Sequence, residues 1–344
     1  MKTAVLLEPN RIEIQDRARP EPGPDEVLIA VRAVGICGSD THYFAGWRDH
    51  EPDTVYPFVL GHEFSGEVAA LGENVTGIEP GRPVCCAPEL PCGECEWCRR
   101  GERNVCPNVR FCASGGFPGC LSEYYVIHKS QVHPLPEGLG FAEATLAEPL
   151  AIGLHVVDNL VRPAGGETYG IIGAGPIGLV TTFAAARRDA SAIYVAEKRA
   201  ERADAALHMG ADKTCLVPNA DFEELIRSET DGRGVDVAVE AAGELDAVAQ
   251  VLRLARIHGI AVIEGIPPAG EAAVAIDAAR RRELTVIFGR RSVGKTDEAL
   301  GLIASGQFDA RLMITHHFPL TEAQAAFECA RDYKDGAIKI VIEA

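Results

Sequence analysis

The chain is an acidic protein of ordinary globular composition: it has 344 residues, of which 47% are apolar and 24% are charged, and its formal net charge is −17. At about 150 residues per domain, this length predicts two domains. A surface this acidic has no general attraction to phosphate backbones or anionic lipids, so the charge argues against binding to nucleic acids or to membrane surfaces.

The predicted elements change character near residue 150. Before it, the chain is rich in glycine and proline, and short runs at 27–31 and 64–71 predict an irregular all-β region. After it, strand-like runs alternate with helical segments, which predicts parallel βαβ units and a doubly wound sheet. The predicted strands are 169–172, 192–196, 214–217, 235–239, 260–263 and 284–288, separated by predicted helices at 177–188, 200–209, 221–229 and 246–254. Further predicted elements are helices at 149–159, 296–304 and 321–330 and a terminal strand at 338–342.

The amino-terminal apolar run stops at Glu8, which makes it too short for the core of a signal peptide. No run reaches the roughly 18 apolar residues of a membrane span. We therefore expect a cytoplasmic protein in a reducing compartment. There, eleven cysteines indicate metal binding or catalysis before disulfides.

A glycine-rich segment, Gly173-Ala174-Gly175-Pro176-Ile177-Gly178, follows the first strand of the alternating half. This G-x-G-x-x-G spacing is typical of a dinucleotide site when a strand precedes it and a helix follows it. The first glycine permits the tight turn, the second lets the backbone approach a pyrophosphate, and the third lets the helix pack on the strand. Pro176 fits a helix start, where its missing N–H costs little. Further predicted cofactor contacts are Arg202, Gly265 and Ile266.

The second strand of this half ends at Glu197, about 20 residues further on. An acidic side chain at that position accepts hydrogen bonds from the ribose hydroxyls and repels a 2′-phosphate, so NAD is favoured over NADP. The basic residues Lys198, Arg199 and Arg202 lie close by and weaken this preference. The alternative is that Glu197 is a solvated strand end.

Four cysteines, Cys92, Cys95, Cys98 and Cys106, form a C-x2-C-x2-C-x7-C pattern. Thiolates at this spacing can converge on one ion, and four of them fill a tetrahedral zinc site with no open position. Such a closed site is structural, because catalysis needs an open position. We predict structural zinc in the loop 92–106. The alternatives are an iron–sulfur cluster, two disulfides or a nucleic-acid-binding zinc ribbon.

A thiol, an imidazole and a carboxylate in separate turns would together make a second, open zinc site. The candidates are Cys37, His62 and Glu148. Spacing alone does not show that these groups meet. The alternative is a buried thiol, a surface histidine and two solvated carboxylates, those of Glu63 and Glu148.

Over essentially its whole length, the chain resembles the zinc-containing medium-chain alcohol dehydrogenases. The segments Cys37-Gly38-Ser39-Asp40-Thr41-His42-Tyr43 and Glu148-Pro149-Leu150-Ala151 are most similar to the polyol, or sorbitol-type, branch. The resemblance implies a GroES-like catalytic domain formed by residues 1–152 and 290–344 around a Rossmann NAD-binding domain, residues 153–289. It also implies a homotetramer or homodimer.

The resemblance assigns the ligands of the catalytic zinc. Cys37 and His62 would bind the ion, and Glu63 would be a direct ligand in some states. Glu148 would bind zinc directly or through water. Asp40 would orient His62 and fix its tautomer.

The resemblance also assigns a proton relay and substrate contacts. Ser39 would contact the substrate hydroxyl, and His42 would end the relay near solvent. Tyr43 and Arg291 would line the substrate site. Arg290 gives an alternative register for the arginine, and a solvated loop is the alternative for both arginines.

The implied reaction is hydride transfer from a secondary alcohol of a polyol or sugar-like substrate to NAD, giving the ketone. Zinc would act as a Lewis acid that lowers the pKa of the alcohol, and the nicotinamide would lie at the carboxyl ends of the strands. The alternatives are an L-threonine or 2,3-butanediol dehydrogenase, a zinc-free quinone or enone reductase, and a non-catalytic dinucleotide sensor.

Overall fold

A computed structural model describes residues 1–47, 55–114, 116–267 and 271–344 of the chain. These residues form two compact units. The first comprises Met1–Glu148 and Thr296–Ala344, and the second comprises Pro149–Lys295. Both chain ends therefore belong to the first unit, and the second is one continuous stretch.

Strands predominate in the first unit, whereas strands and helices alternate through most of the second. In chain order, the strands are β1 (Lys2–Glu8), β2 (Arg11–Asp16), β3 (Glu26–Gly35), β4 (Glu63–Leu71), β5 (Pro83–Cys86), β6 (Glu89–Leu90), β7 (Arg110–Phe111), β8 (Tyr124–His128), β9 (Val132–Pro134), β10 (Thr168–Ile172), β11 (Ala192–Glu197), β12 (Lys213–Leu216), β13 (Val235–Glu240), β14 (Ala255–Ile263), β15 (Thr285–Phe288), β16 (Ile314–Pro319) and β17 (Lys339–Glu343). The helices are α1 (Gly38–Phe44), α2 (Glu96–Arg99), α3 (Phe141–Ala144), α4 (Ala147–His155), α5 (Pro176–Ala186), α6 (Ala200–His208), α7 (Phe222–Glu229), α8 (Leu245–Leu254), α9 (Ile276–Arg281), α10 (Thr296–Ala304) and α11 (Ala323–Asp332). A π-helical segment, Val156–Val161, follows α4. Across the described ranges, every helix is too short or too polar to cross a bilayer.

The first unit is built on a sheet with the strand order β16-β17-β3-β4-β5-β9, in which β8 also pairs with β3. All of its pairs are antiparallel except β16 with β17. The last strand of the chain therefore lies beside β3. Phenylalanines are prominent in the core of this unit, among them Phe44, Phe64 and Phe327.

Several elements of the first unit were not predicted, among them the hairpin of β1 and β2 and the helix α1. The hairpin of β1 and β2 pairs residues near the amino terminus in antiparallel register. Its second strand alternates polar residues with Ile12 and Ile14, which is a strand signal. The helix α1 is short, and most of its residues are polar or charged. The sequence therefore shows little of the apolar periodicity that its buried residues Tyr43 and Phe44 would otherwise give.

The second unit is a six-stranded sheet with the order β12-β11-β10-β13-β14-β15, in which all pairs are parallel. Numbered by their sequence within the unit, these strands run 3-2-1-4-5-6, which is the order of the doubly wound dinucleotide fold. The predicted doubly wound sheet is thus confirmed. One difference is the start of β14, which is at Ala255 instead of the predicted residue 260. The chain is already extended from Ala255, directly after α8, up to the apolar residues 260–263.

Candidate active site

The register of two neighbouring strands brings Cys37 and His62 together. Gly35, at the end of β3, lies directly opposite Glu63, at the start of β4. Cys37 follows β3 and His62 precedes β4, so both emerge at the same end of the pair. A sulfur, an imidazole nitrogen and a carboxylate oxygen from Cys37, His62 and Glu63 all lie within 4.8 Å of one another.

Asp40, in the first turn of α1, fixes the two segments that carry this thiol and imidazole. Its carboxylate accepts hydrogen bonds from the backbone N–H of Cys37 and of Gly61, each at 3.0 Å. Its Oδ1 also lies 3.4 Å from Nδ1 of His62, and both side chains are buried. A buried carboxylate on one ring nitrogen leaves the other nitrogen to act as a ligand.

The surroundings of His62 favour a positive charge. Burial works against the charged imidazole, but the nearby Asp40 and Cys37 outweigh it and raise the pKa of His62 well above its ordinary value. The ring also packs against Phe111 with centroids 5.3 Å apart. An anionic pocket of this kind is complementary to a cation placed between sulfur and nitrogen.

Glu63 is held by a buried lysine that the sequence reasoning missed. Nζ of Lys339, in β17, donates to both carboxylate oxygens of Glu63, at 2.6 and 2.8 Å, and to the carbonyl of Ile36 at 3.0 Å. Lys339 is 1% exposed and Glu63 is fully buried. Gly35 is required beside them, because a Cβ there would fall 2.4 Å from Oε2 of Glu63. A lysine inside the apolar run 338–342 was the available signal.

Glu148 lies in the first turn of α4, outside this compact set of three donors. Burial, followed by repulsion from Glu63, raises the pKa of Glu148 to about 8, against the opposing effect of His62. The structure therefore places Glu148 in the same electrostatic environment as the three donors, and places Glu63 among the donors themselves.

The three donors fit a zinc ion. Thiolate, imidazole and carboxylate are the ligand types of zinc, and three protein ligands leave the open position that a catalytic site needs. The buried support from Asp40 and Lys339 is the kind of outer hydrogen bonding that orients metal ligands.

The helix α1 carries three more of the predicted site residues. Ser39 and His42 are three positions apart, so they share one face of the helix. The His42 ring contacts Trp47 with centroids 5.0 Å apart. Tyr43 is buried, and its ring packs against Phe58 with centroids 5.5 Å apart.

The four-cysteine loop converges as its spacing predicts. The sulfurs of Cys92 and Cys106 are 3.5 Å apart, those of Cys95 and Cys106 are 3.8 Å apart, and those of Cys92 and Cys98 are 3.9 Å apart. A tetrahedron with zinc–sulfur bonds of about 2.3 Å has sulfurs about 3.8 Å apart. Hydrogen bonds from the backbone N–H groups of Glu94 and Cys95 lower the pKa of Cys92 to about 6, which favours its thiolate. All eleven cysteines of the chain are free thiols.

Replacing Cys98 with serine is expected to remove one zinc ion per chain and to lower the melting temperature by about 10 °C. Zinc bound by a folded loop contributes its binding free energy to folding, and a ligand lost from such a site costs several kcal/mol. Metal analysis and thermal melts test this. Cys215→Ser, in β12, is the matched control and should leave the zinc content unchanged. An unchanged zinc content in Cys98→Ser would contradict the prediction that this loop binds zinc.

The glycine-rich segment forms the turn between β10 and α5. Gly173 adopts a φ of +98°, which favours glycine. A Cβ on Gly178 would fall 1.9 Å from the carbonyl oxygen of Gly173, so helix and strand approach each other only with glycine there. Gly175 and Pro176 are the N-cap and first residue of α5, whose free N–H groups suit an anion.

Glu197 ends β11 beside this turn and is buried. Its Oε2 accepts from the N–H of Ala174 at 2.7 Å, and its Oε1 accepts from those of Lys198 and Arg199 at 2.6 and 3.0 Å. A guanidinium nitrogen of Arg202 lies 3.6 Å from the position that a Cβ of Gly175 would take. The structure thus brings Glu197 and Arg202 to the glycine turn.

The remaining predicted residues lie further along the second unit. Gly265 follows the end of β14, and its N–H donates to the carbonyl of Glu240 at 3.2 Å. Ile266 is 48% exposed. Arg291 follows β15 with a φ of +54°.

Comparison with known proteins assigns the family. The model for the alcohol dehydrogenase GroES-like domain matches residues 23–137, and that for zinc-binding dehydrogenases matches residues 176–305. The chain is 34% identical over 343 residues to sorbitol dehydrogenase of Bacillus subtilis (strain 168), covering 99% of this chain and 97% of the relative.

Two crystal structures are similar to both units. An oxidoreductase of unknown specificity from Escherichia coli is 33% identical with a TM-score of 0.93, covering 99% of this chain and 98% of the other. A protein assigned as a zinc-binding dehydrogenase from Sinorhizobium meliloti 1021, bound to NADP, is 32% identical with a TM-score of 0.90, covering 100% and 99%.

A GroES-like unit that carries zinc-type donors, joined in one chain to a Rossmann unit, defines a zinc- and nicotinamide-dependent dehydrogenase. The chain belongs to the zinc-type medium-chain alcohol dehydrogenases, in their sorbitol dehydrogenase-like branch. It is an alcohol dehydrogenase.

Proposed function

We propose that the protein oxidises a secondary hydroxyl of a polyol or sugar-like substrate to the ketone, with NAD as the hydride acceptor. The observation that carries this proposal is the convergence of Cys37, His62 and Glu63 on one point. The sorbitol dehydrogenase of B. subtilis, identical at 34% of positions over nearly the whole chain, supports the polyol class.

The chain's own residues would position and deprotonate the substrate. Zinc held by Cys37, His62 and Glu63 supplies a Lewis acid that lowers the pKa of the substrate hydroxyl, and NAD supplies the hydride acceptor. Ser39 would accept the hydroxyl proton and pass it to His42 on the same face of α1. Glu148, with its raised pKa, would hold a water molecule next to the metal.

Initial rates on sorbitol, xylitol, 2,3-butanediol and L-threonine, each with NAD and with NADP, test the substrate class. NAD-dependent turnover of a polyol is expected. Turnover confined to 2,3-butanediol or L-threonine would contradict the polyol class and identify the protein as a dehydrogenase of that alcohol. Cofactor binding with no turnover on any of the four alcohols would contradict the proposal.

The preference for NAD is proposed from the environment of Glu197. Its carboxylate sits at the glycine turn, where it would accept ribose hydroxyls and repel a 2′-phosphate. The neighbouring Lys198 is neutralised by Glu244, whose carboxylate oxygens lie 2.6 and 2.7 Å from Nζ. The relative that binds NADP makes this a necessary test.

Replacing Glu197 with alanine is expected to weaken NAD binding about tenfold or more, because hydrogen bonds to a charged acceptor are worth about 1.5–3 kcal/mol. Binding of NADP should change much less, since removing the carboxylate also removes repulsion of the 2′-phosphate. Calorimetric titration of both cofactors checks this. Equal losses for NAD and NADP would refute the ribose role. Glu283→Gln, which removes a charge at the amino end of β15 where the side chain is 73% exposed, is the control.

A homodimer or homotetramer is proposed as the assembly. The strand β15 is an edge of the parallel sheet, and it exposes Phe288 at 74% and Val286 at 41%. An exposed apolar edge strand is a ready template for pairing with another chain. Analytical ultracentrifugation should give a mass of two or four chains, and a monomer would contradict this assembly.

A further inference from the structure

Two carboxylates lie at the carboxyl edge of the second half of the parallel sheet. Glu240 is the last residue of β13, and Glu264 directly follows β14. In the 3-2-1-4-5-6 order, the strands β10 to β12 take one mononucleotide and the strands β13 to β15 take the other. Because Glu197 marks the adenosine side, Glu240 and Glu264 belong to the nicotinamide side. This placement rests on the dinucleotide binding proposed above.

The carboxylate of Glu264 is tied to the helix that starts at the glycine turn. Both of its oxygens lie within hydrogen-bonding distance of Oγ1 of Thr181, at 3.0 and 3.3 Å. Thr181 is fully buried on α5, one helical turn beyond Ile177 of the glycine-rich segment. The carboxylate therefore lies beside the second turn of the helix that follows the glycine turn.

Glu240 is a second carboxylate at this edge, and one of its two oxygens lacks a hydrogen-bond donor. It is fully buried, and its Oε1 accepts from the N–H groups of Ala242 and Gly243 at 2.8 and 2.7 Å. Its Oε2 has no hydrogen-bond partner within the described part of the chain. Gly265 lies against that oxygen, which a Cβ would approach to 2.4 Å.

This edge therefore holds two neighbouring carboxyl groups without a compensating cation. Among the described residues, no lysine or arginine forms an ion pair with Glu240 or Glu264. Burial, together with repulsion from Glu240, raises the pKa of Glu264 to about 8. A half-buried carboxylate with no cationic partner gains from a positive charge brought to it by a ligand.

We propose that Glu264, with Glu240 beside it, makes the cofactor site discriminate between the oxidised and reduced nicotinamide, favouring NAD+ over NADH. The two forms differ by one positive charge on the ring, which NAD+ carries and NADH lacks. A carboxylate under the nicotinamide half attracts the first and is indifferent to the second. The weaker hold on NADH would ease its release after the alcohol is oxidised.

The variant Glu264→Gln tests this, since the amide keeps the shape and can still pair with Thr181. Dissociation constants of NAD+, NADH and ADP-ribose are measured by calorimetry at pH 9, where the wild-type carboxyl is ionised. We expect NAD+ to bind about tenfold more weakly to the variant. The constants for NADH and ADP-ribose, which lack the ring charge, should change less than about twofold.

The matched control is Glu283→Gln, which removes the same charge at the amino end of β15, where the side chain is 73% exposed. It should leave all three constants unchanged. Glu264→Leu removes the charge by a second route and serves if the glutamine variant melts below the wild type. An unchanged NAD+ constant, or equal changes for NAD+ and NADH, would overturn the inference. Failure of all three ligands to bind the wild type would instead overturn the proposed dinucleotide function.

Discussion

Replacing Cys37 with serine is expected to lower kcat by at least about a thousandfold while the dissociation constant of NAD stays within about twofold. The hydroxyl of serine is a poor zinc ligand, so the variant loses the Lewis acid, which is worth several kcal/mol of the barrier at 1.36 kcal/mol per tenfold in rate. The glycine turn and Glu197, which would bind the cofactor, are unaltered. Steady-state rates on the best polyol and calorimetric titration with NAD measure the two quantities.

The control for this variant is Cys215→Ser, which changes a buried thiol in β12, outside both cysteine groups. It should retain wild-type rates. Substantial activity in Cys37→Ser would contradict a zinc mechanism. Loss of NAD binding along with activity would show that the substitution had damaged the fold rather than the metal site.

Replacing Lys339 with methionine is expected to destabilise the protein by about 3–5 kcal/mol, because it leaves the carboxylate of Glu63 buried and unpaired. Burial works against the charged ammonium, but attraction to Glu63 outweighs it and raises the pKa of Lys339, so Lys339 carries its charge at neutral pH in the wild type. The melting temperature should fall by about 10 °C. Thermal unfolding followed by circular dichroism measures the change.

The double variant Lys339→Met/Glu63→Leu separates stability from catalysis. An apolar pair in place of a buried ion pair is often neutral or stabilising, so the double variant should recover most of the lost melting temperature. It should not recover turnover, because Glu63 is one of the three converging donors. A double variant that is both stable and active would show that turnover does not require Glu63 as a zinc ligand.

The Rossmann half was predictable because its signals are local. The spacing from Gly173 to Gly178 lies within one turn, and each strand of the sheet is a short apolar run that a helix follows. The four cysteines are equally local, since fifteen consecutive residues contain the whole set. In both cases, the chain neighbours that make the feature are its spatial neighbours.

The proposed zinc ligands come together through strand pairing, which the spacing of residues in the sequence does not reveal. Cys37 and His62 meet only because β3 and β4 pair in one register, and Lys339 reaches Glu63 from 276 residues away through the pairing of β17 with β3. For this site the sequence supplied the residue types, and the resemblance to a family supplied their grouping. Two signals in the sequence indicate buried charged groups without the family resemblance. One is the lysine within the apolar strand β17, and the other is the pair of glutamates at the carboxyl ends of β13 and β14.

The zinc content of the purified chain tests the two-site account most directly. Plasma mass spectrometry should find two zinc ions per chain in the wild type and one in Cys37→Ser, with the remaining ion held by the loop of Cys92 to Cys106. A wild-type chain with a single zinc, which Cys37→Ser retains and Cys98→Ser loses, would contradict the catalytic site.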